Sequence, residues 1–183
     1  MVSRRGVITN QCIAISRRYN RRCRRETARG PYCWMHLKTE KGLQIKKSHI
    51  PKAGLGLYAL KEFNRGDVIT PYGGEIITTR DPNLGGAYML ELKKGPPRVL
   101  IDGSPKVSNK STGGYSNSCK PPDKRAGYCN GQNAHFEINR RTKTANIVAT
   151  KKIKPKEEIY STYGAEYWRS ANNRKKKKSA RRR

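Results

Sequence analysis

From residue 43 onward, apolar residues come in short runs separated by glycines, prolines and small polar clusters. Runs of this length bounded by turn residues predict strands, because helices need longer stretches with a 3.6-residue period. Strands are expected over 43–45, 56–60, 68–71, 75–78, 88–92, 99–102, 134–138 and 145–149. Helical periodicity is poor nearly everywhere, so a mainly β chain is predicted. Residues 107–131 are rich in Ser, Asn, Gly, Lys and Pro and carry few apolar side chains. In a compact domain a connection that long is functional or mobile. No internal repeat is visible. No apolar run approaches the length of a membrane span, and the first residues lack the apolar stretch of a secretory signal. A soluble intracellular protein is expected.

Charge changes the picture. The chain has 183 residues, room for about one ordinary domain with small attachments. Its 41 Lys and Arg against 13 Asp and Glu give a net charge of +28. Such an excess repels itself and favours a polyanionic partner: nucleic acid first, an anionic membrane as the weaker choice. The excess is uneven. Residues 1–48 hold 13 basic and 2 acidic residues, 49–168 hold 19 and 11, and 169–183 hold 9 and none. The middle segment alone has the balance of a folded domain. The tail, with basic runs at 174–178 and 181–183, is of the nuclear-import or nucleic-acid-binding type and is expected to be disordered by itself.

Three of the five cysteines crowd the first 33 residues. Cys12, Cys23, Cys33 and His36 are the ligand types of a structural zinc site, and four protein ligands would leave no open position on the metal. A segment this short and charged buries little core, so a metal would supply the missing folding free energy. The arrangement suits a metal in a reducing compartment better than a disulfide framework. Residues 11–37 resemble a small Cys/Cys/Cys/His module found as an appendage in viral and microbial proteins. The surrounding Arg17, Arg18, Arg21, Arg22, Arg24 and Arg25 would line a phosphate-binding face.

The middle segment carries motifs in a telling order. Lys52-Ala53-Gly54-Leu55-Gly56-Leu57-Tyr58 is a glycine turn in which a backbone can approach a ligand closely, where a Cβ would clash. Phe63-Asn64-Arg65-Gly66-Asp67-Val68 and Tyr72-Gly73-Gly74-Glu75 follow. Then come Ala87-Tyr88-Met89-Leu90-Glu91, Ile101-Asp102-Gly103, Tyr115-Ser116-Asn117-Ser118-Cys119, Asn133-Ala134-His135-Phe136 and Glu157-Glu158-Ile159-Tyr160-Ser161-Thr162-Tyr163-Gly164. In this order, over about residues 43–168, they resemble the SET-domain protein lysine methyltransferases, and the short frame is similar to the compact SET proteins of large DNA viruses and microbes. Two features depart from the family pattern. Ser118 stands where histidine is usual, and residues 120–132 are longer than the norm. No cysteine follows Cys129, so the cysteine-rich cap of some relatives is absent.

The resemblance implies a fold of several small β-sheets with a knot-like C-terminal crossing. It divides the chain into a zinc module at 1–42, a SET domain at 43–168 and a tail at 169–183. It implies S-adenosylmethionine as cofactor, held by Lys52, Ala53, Gly54, Leu55, Gly56, Leu57, Tyr58 and Asn117, with Trp168 against the adenine. Tyr163 takes the place of the catalytic tyrosine, and Tyr88 and Tyr115 become wall residues of a lysine channel. Ser161 and Tyr167 would shape the substrate pocket, and a serine at 161 would leave room for more than one methyl. The implied activity is methylation of a lysine on a histone or histone-like DNA-associated protein, at chromatin in a nucleus or in a virion, with the basic ends held on DNA. Alternatives are a SET scaffold that binds chromatin or nucleic acid without catalysis, and an enzyme for a non-histone basic protein.

Overall fold

The computed structural model describes residues 9–16, 19–82, 84–86, 88–104, 111–119 and 131–163. The basic tail, Tyr167, Trp168 and the end of the chain where a C-terminal crossing would be completed lie outside these residues. Among the described residues no helix is long and apolar enough to cross a membrane.

The N-terminal segment is built from scraps of secondary structure. Strands β1 (Asn10–Gln11), β2 (Ile15–Ser16), β3 (Arg21–Arg22) and β4 (Glu26–Thr27) pair antiparallel as β1 with β4 and β2 with β3. The helix α1 (Trp34–Lys41) follows and was not expected. It buries only Leu37, so it has no apolar stripe for a periodicity argument to find. Gly42 ends it in the left-handed conformation, with its N–H on the Lys38 carbonyl at 3.1 Å. Lys38 and Lys41 lie in its last turn, beside the negative end of its dipole.

The remaining strands form several small sheets. The strands β5 (Leu43–Lys47) and β6 (Leu55–Ala59) make a hairpin. The strand β7 (Val68–Pro71) is an edge of one three-stranded sheet. Next come β8 (Glu75–Thr79), β9 (Met89–Lys93) and β10 (Arg98–Asp102), with β10 in the centre of a second. A short 3-10 turn, Gly113–Tyr115, leads into β11 (Asn117–Ser118). Strands β12 (Ala134–Asn139) and β13 (Thr144–Ala149) complete the β7 sheet, and β14 (Tyr160–Ser161) runs parallel to β11.

All eight expected strands are present, and none of their ends moves by more than two residues. Position within the sheets explains their texture. Central β10 buries Val99, Leu100 and Ile101 in a row, and central β13 buries Ile147, Val148 and Ala149. Outer β12 alternates instead, with Ala134, Phe136 and Ile138 inward and His135, Glu137 and Asn139 exposed. The supposed loop over 107–131 is interrupted by the Gly113–Tyr115 turn and β11, which are too short to leave a periodic signal. Cys119 is disulfide-bonded, and only Cys12, Cys23 and Cys33 carry free thiols among the described residues.

Candidate active site and metal centre

The N-terminal donors converge. The Sγ atoms of Cys12, Cys23 and Cys33 and a ring nitrogen of His36 all lie within 4.8 Å of one another. His36 Nδ1 is 3.5 Å from Cys12 Sγ and 3.2 Å from Cys33 Sγ. Donors around a tetrahedral zinc ion stand about 3.3–3.8 Å apart, given metal bonds near 2.0–2.3 Å. The set therefore fits one such ion. Burial pushes the Cys33 thiol up, but hydrogen bonds from the His36 main chain and ring and from Cys12 outweigh it and bring the thiol down to about 7. Cys12 and Cys33 are buried with Ala14 in a cluster of their own, apart from the main core.

A second convergence lies in the β domain. A cavity of about 390 Å³ is lined by Ala53, Gly54 and Leu55 from the turn before β6, by Tyr88, by Tyr115, and by Asn117, Ser118 and Tyr163. Ile50 and Gly114, which the motifs did not single out, complete it. Four stretches of chain thus meet at one space. Among the described residues none that lines it carries a formal charge, although the chain as a whole is strongly basic.

Not every predicted residue reaches it. Leu57 and Tyr58 are wholly buried, and Lys52 stands exposed in the turn at φ 65°. Ser161 is also fully buried, and its hydroxyl has no hydrogen-bond partner among the described residues. It does not line the cavity. The two glycines of the turn have different reasons. Gly54 adopts φ 79° with open space about it. Gly56 is flat against Glu158, and a Cβ there would collide with the Glu158 carboxylate. Its close approach is to a protein side chain, whereas the motif suggested a ligand.

Glu158 is the residue that sequence reasoning missed. It is 3% exposed, yet five donors converge on its carboxylate. Oε1 accepts from Ser48 Oγ at 2.6 Å and Asn117 Nδ2 at 3.2 Å. Oε2 accepts from the His49 main-chain N–H at 2.8 Å, Tyr58 Oη at 2.8 Å and Tyr160 Oη at 2.9 Å. Burial alone would raise its pKa, but the hydrogen bonds from Ser48, His49, Tyr58 and Asn117 hold the carboxyl below its ordinary range. Burial and the neighbouring carboxylate push Tyr58 and Tyr160 far up, so both remain protonated donors. The only available signal was an acid among Ile159, Tyr160 and Ser161 in an apolar strand.

The network fixes the cavity wall. Asn117 spends its amide hydrogens on Leu55 O (3.0 Å) and Glu158, which leaves Oδ1 as its acceptor. Asn133 clamps the same strand, donating to Glu158 O and accepting from the Tyr160 N–H. Tyr163 donates its hydroxyl to Ser116 O at 3.1 Å, and its N–H reaches Ser118 Oγ at 3.3 Å. Ser118, where histidine is usual in the family it resembles, thus supports the tyrosine's main chain. Behind the cavity, Tyr72 donates to Tyr88 O at 2.6 Å.

Small β-sheets folded about an uncharged, tyrosine-lined cavity define a SET-type domain. The SET domain family model matches residues 54–164, more than half of the chain, and the protein belongs to that family. Among solved structures, the methyltransferase domain of human PR domain-containing protein 2 is similar with a TM-score of 0.50 and 22% identity. The likeness covers 68% of this chain and 78% of that one, and it speaks to the fold. No curated protein sequence matches.

Two outcomes follow from these sites. Metal analysis of the purified protein should give one zinc per chain. Cys33→Ser should remove it and expose residues 9–41 to hydrogen exchange while β12 and β13 stay protected. Glu158→Gln places a donor where five donors converge, and should lower unfolding free energy by about 2 kcal/mol or more. Because the folded carboxyl titrates below its ordinary range, this contribution is fully present above about pH 5 and is lost as the pH falls through the folded pKa. Urea midpoints of the two proteins should therefore converge in acid.

Proposed function

We propose that the protein is an S-adenosylmethionine-dependent protein-lysine N-methyltransferase. Membership in the SET domain family supports a methyltransferase of the SET type. The observation that carries the reading further is the single uncharged cavity shared by the Ala53–Leu55 turn, Asn117 and Tyr163. Its volume is in the range of small-molecule sites. Ala53, Gly54, Leu55 and Asn117 would hold the cofactor, which supplies an electrophilic methyl on a sulfonium when bound.

The chain's own residues do the rest. A lysine must be neutral to act as a nucleophile, and at pH 7 that costs about 4–5 kcal/mol in water. A cavity without formal charge disfavours the ammonium form and lowers this cost. Tyr88, Tyr115 and Tyr163 exclude water with their rings and add no fixed charge of their own. Burial raises the Tyr115 pKa, so it too stays neutral. The Tyr163 hydroxyl, its proton committed to Ser116 O, presents oxygen lone pairs to an amine N–H and so orients the nucleophile.

Charge supports one substrate class. A protein of net charge +28 repels a free basic peptide. We assign its substrate to a histone or histone-like protein on DNA, with the basic ends of the enzyme held on the same nucleic acid, at chromatin or in a virion.

Two measurements check this. Transfer of label from S-adenosylmethionine to a panel of nucleosomes, histones and other basic proteins should be seen with the wild type. It should fall about a hundredfold or more in Tyr163→Phe. The rate on DNA-bound substrate should exceed that on free protein and decline with salt. Equal, salt-insensitive rates on both would remove the tether.

A further inference from the structure

The zinc module carries an aromatic surface that neither metal binding nor methyl transfer uses. Trp34, in the first turn of α1, is 67% exposed beside a buried metal ligand. Arg25 lies 5.7 Å and Lys38 5.4 Å from its ring centre. Nearby, Lys41 sits 4.8 Å over the ring of Tyr32. Trp34 and Tyr32 both line a cavity of about 340 Å³, together with Leu37, Arg29, Lys38 and Glu26. It is separate from the cavity in the β domain, sharing none of its residues.

We propose that this cavity is a binding site for an unpaired nucleobase of single-stranded nucleic acid. The proposal goes beyond the tether to chromatin DNA above, because it adds a contact that only unpaired bases can make. Rings interleaved with cations are what a single strand requires: every base has a face that stacks on an aromatic ring, and every linkage has a phosphate for a cation. Arg21, Arg22, Arg24 and Arg25 lie close by in the chain, so a strand entering the cavity continues over positive charge.

Charge decides against the main competitor. An aromatic recess with one acid could also hold a methylated lysine. Of the lining residues Arg29 and Lys38 outnumber Glu26, and Arg25 and Lys38 already face the indole. A cationic ligand meets repulsion there and an anionic strand meets attraction. Duplex DNA offers phosphates but keeps its base faces stacked, so it cannot use the rings.

The test uses full-length, zinc-loaded protein and fluorescein-labelled 12-nucleotide DNA, read by anisotropy at fixed salt. The same sequence is presented as single strand, as duplex and as an abasic strand. Trp34→Ala should weaken single-strand binding about tenfold or more, and Trp34→Phe should restore most of it. Duplex and abasic affinities should change less than about twofold, and the salt slope should stay constant, because no cation is removed. Zinc content should be equal in all three proteins. On the unaltered protein, photocrosslinking with a bromouracil-containing strand should give adducts at Trp34 or Tyr32.

Single-strand affinity indifferent to Trp34, or adducts confined to the tail, would overturn the site while leaving the tether intact. Equal losses on all three ligands would also overturn it. So would Trp34-dependent binding of trimethyl-lysine peptide or anionic phosphatidylserine vesicles in preference to the strand. Absence of any salt-dependent nucleic-acid binding would remove the tether itself.

Discussion

An ionised carboxylate in a protein interior is tolerated only where hydrogen bonds replace the water it has lost. At Glu158 that requirement reaches across the whole domain. The five donors come from the turn at Ser48 and His49, from β6, from β11 and from β14 itself. Each of these segments also contributes to, or directly adjoins, the wall of the cavity. A shift in any one strands a buried charge or a buried donor. The wall is therefore held largely from behind, with Asn117 the member of the network that also lines the cavity, and Gly56 is glycine because that network needs the space.

The same logic accounts for the contrast between surface and site. The chain is strongly basic, yet the described residues that line the cavity carry no formal charge. Positive charge is densest at the two ends, with 13 basic residues against 2 acids over 1–48 and 9 against none over 169–183. Charge acts at long range and suits the gathering of a polyanion. The cavity wall acts only at contact distance and suits alignment of reacting groups.

The N-terminal module solves a different problem. Four strands of two residues each and one helix with a single buried side chain cannot supply a core. Three thiols and an imidazole brought within reach of one ion fit the role of that core, and the surface left over is free for arginines and exposed rings. A metal bound there would permit a degree of surface charge and aromatic exposure that a module of this size could not otherwise carry.

Much of this was legible in the residues alone. Eight strands could be read because apolar runs between glycines and prolines are a local signal. The convergence of three thiols and an imidazole could be read because such side chains have few other reasons to cluster. The tyrosines and Asn117 could be read because their order along the chain is that of a family. The sequence left open which residues of 52–58 face the cavity, and it gave no hint of Glu158 as a hub. It also hid α1, and it assigned to a ligand the space beside Gly56. Those were decided by contacts between residues about a hundred positions apart, such as Ser48 and Tyr58 with Glu158. No local pattern encodes such a pairing, because it exists only once the strands have been packed against one another.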